Sequence, residues 1–170
     1  MTDQSRDICI FDGRQWVVED PGELALCVPT NKQLGFSTIM DSTANWSGRI
    51  DHFLVHNYQL YLFKVEVSLP EDQRDLVPPG ARRETRYIYE PIENHSSSGM
   101  TMEERIHESR YFVYDDLKID YSGELLLLYP IGDMWEYPEY DAPEPYLETR
   151  LEFDRGKLED VDERPLEDDD

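Results

Sequence analysis

The sequence predicts a mainly β protein: a single antiparallel β-rich domain, folded as a sandwich or a partly open barrel, with at most one or two short helices and an acidic C-terminal tail. Roughly nine short apolar or alternating runs recur along the chain, and turn-forming residues separate them. Apolar residues make up only 39% of the 170 residues, but the aromatic share is 12%, so rings can supply much of the core. We expect the domain to span residues 5–161 and a disordered acidic tail to span residues 162–170.

The first elements are predicted to be a hairpin and a separate short strand. Asp12-Gly13 lies between the apolar residues around Ile10 and Trp16, and an Asp-Gly pair in that setting is the strongest local signal for a two-residue hairpin. The Pro and Gly of the DPGE segment indicate a turn. The apolar run at residues 24–28 then predicts a strand, which Pro29 ends.

Residues 50–55 and 60–67 predict two adjacent strands, with the chain reversing at Asn57-Tyr58. Asn tolerates the left-handed backbone of a tight turn, but Tyr at the second turn position is unfavourable, so the reversal can also take a longer loop. Alternation in the second strand places successive side chains on opposite faces of the sheet. One face is expected to hold Tyr61, Phe63, Val65 and Val67, and the other Leu60, Leu62, Lys64 and Glu66. Trp46 is expected to pack over the backbone at Gly48, where the first strand begins, and the alternative is an aromatic anchor for a partner.

The second half of the chain predicts further strands and one helix. Residues 68–84 hold three Pro and one Gly, which predicts a loop. Thr101 and Glu104 have the spacing of a capping box, so residues 101–109 predict a short helix. Strands are expected at residues 84–92, twice within residues 111–131, and as a final hairpin within residues 146–161 that turns at Arg155-Gly156.

Charge is the most unusual property of the chain. It has 38 acidic and 16 basic residues, a formal net charge of −22. Direct binding to nucleic acid or to an anionic membrane is disfavoured, because both need Lys and Arg to face the phosphates. From Asp133 to Asp170 sixteen acidic residues accompany four basic ones, so the excess is concentrated near the C-terminus. The expected partners are cations or basic proteins.

The sequence contains no recognisable catalytic or metal-binding pattern, so we expect no enzyme activity, no metal and no cofactor. His52 and His56 are four residues apart in a predicted strand, about 13 Å from each other at the usual rise, too far to share one ion. Cys9 and Cys27 lie in apolar runs, where a thiol is buried and unreactive. We expect both to be reduced thiols of a cytoplasmic protein rather than a disulfide. Neither a signal peptide nor a membrane-spanning run is recognised.

An aromatic and acidic segment near the C-terminus is the predicted partner-binding surface. Exposed rings among carboxylates suit recognition of an Arg-rich or Lys-rich surface. Three Pro residues within the segment restrict the backbone, so less conformational entropy is lost on binding. The predicted contact residues are Trp135, Glu136, Tyr137, Glu139, Tyr140, Asp141 and Glu144.

Two short motifs carry a resemblance to a known group of proteins. "STANWSGRI" and "QLYLFKV" match a pattern at Thr43, Ala44, Asn45, Trp46, Gly48, Leu60, Tyr61 and Leu62. The pattern resembles that of small uncharacterised bacterial single-domain proteins, in which Thr-Ala-Asn-Trp-x-Gly enters a strand and Leu-Tyr-Leu follows the next turn. Ser47, Arg49 and Tyr58 depart from it. The resemblance implies a small domain, similar in size and acidity to immunity proteins, with no established activity.

Two hypotheses about function follow. The first is a non-enzymatic acidic protein that neutralises or regulates a basic protein partner, like an immunity or inhibitor protein, with mimicry of nucleic acid as its narrower form. The alternative is an uncharacterised housekeeping domain, or an enzyme whose site is not visible in one sequence. A basic partner that binds in a salt-sensitive way would favour the first hypothesis.

Overall fold

The described part of the chain forms nine strands and two single-turn helices. The computed structural model describes residues 7–21, 23–39, 48–96, 99–130 and 145–166, with residues 20, 87–96 and 99–109 described by their backbone only. The strands are β1 (Ile8–Phe11), β2 (Arg14–Asp20), β3 (Arg49–His56), β4 (Gln59–Val67), β5 (Arg82–Ser96), β6 (Gly99–Val113), β7 (Gly123–Tyr129), β8 (Leu147–Asp154) and β9 (Lys157–Pro165). The helices are α1 (Leu24–Cys27) and α2 (Asn31–Leu34), and a 3-10 turn covers Glu71–Gln73.

The strands form one sheet in the order β3-β1-β2-β7-β8-β9-β4-β6-β5. Because β3 also pairs with β4, the first seven strands of that order close into a barrel, and β6 and β5 extend it as a long hairpin. The pairs are antiparallel except β1 with β3, which run parallel and are joined by a crossover through β2 and the helices. The predicted mainly β class is therefore confirmed, and the architecture is a closed barrel.

Side chains from the barrel walls fill the interior. Two residues outside the strands close one end of it: Leu24 of α1 is fully buried, and the ring of Phe36, after α2, lies 5.2 Å from that of Phe112. The largest fully buried side chains are Trp16, Val18, Leu24, Phe53, Leu60, Leu62, Val65, Phe112, Ile119, Leu125, Leu127 and Leu151. The interior is thus a packed core, and a functional site has to lie at a barrel end or on the outer surface.

A β-bulge in β4 overturns the predicted alternation of that strand. β3 and β4 pair residue for residue up to His52, but the ladder then skips Phe63, which is an extra residue in β4. One extra residue reverses the alternation, so both predicted faces contribute to the core. The buried side chains of β4 are Leu60, Leu62, Val65 and Val67. The prediction of two unbroken faces was wrong because a bulge leaves no signal in the spacing of apolar residues.

Three two-residue turns in the described chain set the registers of their hairpins. Asp12-Gly13, Asn57-Tyr58 and Arg155-Gly156 have positive φ at both central positions, as a type I′ turn requires. The predicted hairpin at Asp12-Gly13 and the predicted turn at Arg155-Gly156 are confirmed. The reversal at Asn57-Tyr58 is also tight: Tyr58 adopts a φ of 62°, and its side chain is 73% exposed, so most of its bulk lies in solvent.

The predicted helix at residues 101–109 is wrong, because these residues belong to β6. β6 pairs with β5 without a break in register from Arg82↔Val113 to Ser96↔Gly99. A helix cap stabilises by only about 1 kcal/mol. A long continuous ladder bonds alternate residues of β6 to β5 along its whole length, and it extends a sheet that already exists. Long-range pairing therefore outweighs the local capping signal.

The predicted strand at residues 24–28 is also wrong, because its first four residues form α1. The backbone N–H of Leu24 donates to the carbonyl of Pro21 at 2.8 Å, which starts the helical turn. Leu24 closes the barrel end, while Cys27 points to solvent. The apolar composition of the run thus reflects a short cap on the core. The expected burial of Cys27 is therefore wrong. Both cysteines are free thiols, as expected.

β9 continues beyond Val161, where the last strand was expected to end. It pairs with β8 through Pro165, although its side chains from Glu159 onward are exposed. Opposite charges stand directly across the ladder there, Glu148 facing Arg164 and Arg150 facing Asp162, which favours pairing. Backbone pairing with β8 therefore continues without buried side chains on β9. The rest of the predicted tail, residues 167–170, lies outside the described residues.

Gly48 allows three chain segments to meet closely where β3 begins. Its φ is +69°, and a Cβ at this position would overlap the carbonyl oxygen of Ile39. Ser68 donates its N–H to the Gly48 carbonyl at 2.8 Å and accepts the N–H of Ile39 at 2.9 Å. Trp46, which was expected to pack here, lies outside the described residues.

Candidate functional site

The predicted partner-binding residues lie outside the described part of the chain. They all fall within residues 131–144, between β7 and β8, and their placement stays a prediction. They are Trp135, Glu136, Tyr137, Glu139, Tyr140, Asp141 and Glu144. The strands that flank this segment are described, however, since Tyr129 at the end of β7 pairs with Leu147 at the start of β8. The candidate surface among the described residues is therefore the hairpin of β8 and β9, which follows this segment.

β8 and β9, residues 147–165, form a hairpin that we call the acidic arm. Only its inner β8 side chains, such as Leu151 and Phe153, enter the core, while β9 is exposed apart from Leu158. The carboxylates of the acidic arm are Glu148, Glu152, Asp154, Glu159, Asp160, Asp162 and Glu163. β9 pairs with β4 only at Gln59↔Lys157, so most of the strand is paired on its β8 side alone.

The basic residues of the acidic arm neutralise only part of this charge. Arg150 pairs with Glu148 at 3.0 Å and with Glu124 of β7 at 3.4 Å. Arg164 pairs with Asp162 on its own strand. Five carboxylates have no ion pair with any described residue: Glu152, Asp154, Glu159, Asp160 and Glu163. They leave an exposed, uncompensated negative surface that can attract a cationic partner.

A second group of charged and polar residues lies at the barrel end that α1 and α2 cover. It consists of Asp7, Asn31, Arg49 and Asp51, which we call the Arg49 cluster. Nε of Arg49 donates to Oδ1 of Asp51 at 2.6 Å, and Nη1 donates to Oδ1 of Asn31 and to the carbonyl oxygen of Pro29, both at 2.9 Å. The guanidinium thereby ties the loop between the helices to β3.

Asp7 completes the Arg49 cluster from the start of β1. Its Oδ1 accepts the backbone N–H of Asp51 at 2.9 Å, and its side chain lines a cavity of about 260 Å³ together with Arg49, Asp51 and Phe53. Burial, and next the negative charge of Asp51, raise the pKa of Asp7 to about 7, although the hydrogen bond from Asp51 and the charge of Arg49 oppose the change. Asp7 therefore titrates near neutral pH.

The Arg49 cluster offers a titratable carboxyl group, but no thiol is among the described residues that line its cavity. Cys9 follows two residues later, and burial raises the pKa of its thiol to about 12, so the thiol stays protonated and unreactive. The guanidinium of Arg49 donates hydrogen bonds to Asp51, Asn31 and Pro29. The geometry supports a structural role in which Arg49 joins β3 to the helices, with Asp7 as a pH-sensitive member.

The two His residues that the sequence presents as candidate ligands have different surroundings. The ring of His52 meets those of Phe63 and Tyr111 nearly edge-on, with centroid distances of 6.3 Å and 5.8 Å. His56 is exposed at the end of β3. Within the described ranges, no group of three or more His, Cys, Asp or Glu side chains could hold a metal ion, and no helix is long and apolar enough to cross a membrane.

Sequence reasoning missed the Arg49 cluster, although part of its signal was present. Arg49, Asp51 and Phe53 alternate along β3, so two charged residues share the face of a fully buried Phe. Charged residues at inward positions of a strand need partners, and this pattern could have pointed to a polar cluster. Asp7 could not have been found in this way, because its contact with Asp51 joins residues that are distant in the chain.

Comparisons with protein-family models, with curated proteins and with solved structures found no match. The resemblance to small bacterial single-domain proteins therefore stays a prediction.

Proposed function

We propose that this protein is a non-enzymatic acidic binding protein that neutralises or regulates a basic protein partner in the cytoplasm. One observation carries the proposal: the acidic arm exposes five carboxylates without an ion pair to any described residue. A net charge of −22 adds a long-range field of the same sign. The function is analogous to that of an immunity or inhibitor protein, and mimicry of nucleic acid is its narrower form.

The physical effect of the acidic arm would be on both recognition and association rate. Complementary potentials accelerate diffusional encounter and reject partners of like charge. Carboxylates on two paired strands are held in place by the backbone ladder, so less conformational entropy is lost on binding than with a flexible acidic segment. Charges more than a Debye length of about 8 Å from the contact are largely screened at physiological salt. Short-range contacts therefore set the affinity.

The experiment compares two sets of substitutions that change the net charge equally. The arm set neutralises Glu152, Glu159, Asp160 and Glu163 to Gln or Asn. The control set neutralises Glu23, Glu71, Asp72 and Asp116, which are also exposed. Both sets are used, with the wild type, to capture proteins from the lysate of the native host at low and at high salt.

We expect a basic protein that the wild type and the control set retain at low salt and that the arm set loses. Equal capture by both sets would show that only the overall charge matters, and it would refute a specific site. Capture of no basic protein at all would support the alternative, a housekeeping domain.

The predicted aromatic segment is tested on the same partner. Neutralising Glu136, Glu139, Asp141 and Glu144 is expected to weaken affinity clearly, because these residues were predicted to touch the partner. Removal of residues 167–170, which follow β9 and leave its ladder intact, is expected to slow association modestly at low salt. Unchanged binding in both variants would refute the contact role predicted for the aromatic segment and the effect predicted for residues 167–170.

A further inference from the structure

β9 has one edge paired with β8 and a second edge that, over most of its length, pairs with no described strand. On the second edge, contact with the barrel ends where Lys157 pairs with Gln59 and Leu158 donates its N–H to the Tyr58 carbonyl at 2.7 Å. From residue 159 to residue 165 no described strand lies alongside this edge. An open edge presents backbone donors and acceptors that can accept another strand.

The register identifies which backbone groups point outward. The N–H of Leu166 donates to the carbonyl of Tyr146 at 2.9 Å, in the same register as the ladder between β8 and β9. In an antiparallel ladder, hydrogen-bonded and non-hydrogen-bonded pairs alternate. The N–H and C=O groups of Val161 and Glu163 therefore point to the open edge. The next outward position is Pro165, which has no N–H to leave unpaired.

The side chains along the open edge define what could lie against it. Asp160 and Asp162 share one face of β9, and Val161 and Glu163 share the other. Val161 is 43% exposed, so one apolar contact is available among the carboxylates. An extended segment with Lys or Arg on alternate residues, and an apolar residue opposite Val161, would complement this edge in charge and in shape.

We propose that the basic partner adds an extended segment, rich in Lys and Arg, as a strand along the open edge of β9. This inference rests on the proposed function and adds the mode of binding: the backbone hydrogen bonds provide affinity, and the carboxylates select a basic segment. A second copy of this chain is a poor occupant, because its β9 would bring Asp160, Asp162 and Glu163 against the same residues.

The first test uses a defined probe and leaves the protein unchanged. An acetylated peptide of alternating Arg and Val is compared with the same peptide N-methylated at one central Arg and at the adjacent Val. Both peptides carry the same charge, but the second lacks one donor on each of its edges. Strand addition predicts at least tenfold weaker binding of the methylated peptide, measured by fluorescence anisotropy. Equal binding of the two peptides would overturn strand addition.

The second test changes the backbone of β9 without changing its charge. Val161→Pro removes an outward N–H and keeps the hydrogen bonds to β8, and Val161→Ala controls for the loss of the side chain. We expect about tenfold weaker binding of the Arg-Val peptide by Val161→Pro and less than threefold by Val161→Ala, with melting curves confirming that both variants fold. Equal affinities of the two variants would overturn the proposed mode.

The two proposals can fail separately. If the arm set weakens binding while Val161→Pro and the methylated peptide behave like their controls, strand addition is wrong and charge-based binding stands. If neither the arm set nor Val161→Pro weakens binding, the acidic arm is not the binding surface and both proposals fail. Dimers of the free protein at assay concentration that Val161→Pro abolishes would make a second copy the occupant, and would also overturn the proposal.

Discussion

Replacing Asp7 with Asn should stabilise the protein at pH 8 and reduce the dependence of its stability on pH. In the folded protein the pKa of Asp7 is about 7, against 3.8 for an unperturbed Asp. Each pKa unit corresponds to about 1.4 kcal/mol, so ionising Asp7 in its folded surroundings costs about 4 kcal/mol as an upper bound. Asn is never ionised, and its Oδ1 can still accept the N–H of Asp51, so the hydrogen bond in the cluster is retained.

The sign follows from where the proton binds. Between pH 4 and pH 7 the folded state holds a proton on Asp7 that the unfolded state has released, so the free energy of unfolding falls as pH rises through this range. Above about pH 7 the full cost of ionisation is present, and below about pH 4 it is absent. We therefore expect Asp7→Asn to be about 2–4 kcal/mol more stable than the wild type at pH 8, and we expect this difference to fall to less than half at pH 5.

The assay is urea unfolding at several pH values between 5 and 8, at constant ionic strength. The net charge of −22 itself disfavours compact structure at high pH, so the control must change the charge equally. Asp160→Asn removes one exposed carboxylate of the acidic arm and serves this purpose. If Asp7→Asn and Asp160→Asn show the same dependence on pH, the interpretation of Asp7 as a buried titrating group is refuted.

Two further predictions concern backbone geometry and thiol burial. Gly48→Ala should lower the free energy of unfolding by about 3–5 kcal/mol, because a Cβ would overlap the Ile39 carbonyl and φ is positive. Gly13 has open space around it, so the control Gly13→Ala should lower the free energy of unfolding by only about 1–2 kcal/mol. Equal losses for the two variants in urea unfolding would contradict the overlap at Gly48. A thiol reagent should label Cys27, which is exposed, and should not label Cys9, which is buried. Labelling of the native protein is measured by mass spectrometry, and rapid labelling of both residues would contradict the packing of β1.

Local sequence determined the parts of the fold that depend on neighbours in the chain. Asp12-Gly13 and Arg155-Gly156 predict their turns because the required backbone conformation depends on the turn residues themselves. β3 and β4 were predicted because their apolar runs are separated by a single short reversal. The mainly β class follows from the repetition of such signals. The acidic character of the C-terminal part was also evident, since charge needs no structure to be counted.

Tertiary structure decided the features that depend on distant residues. The bulge at Phe63 and the strand at residues 101–109 arise from pairing with other strands, and pairing between strands is set by the sheet as a whole. The pKa of Asp7 lies above that of an ordinary Asp because folding buries its carboxyl group and places it beside Asp51. The open edge of β9 exists because barrel closure uses only the first pair of that strand. Each of these features depends on the path of the whole chain through space, which the spacing of residues along one segment does not record.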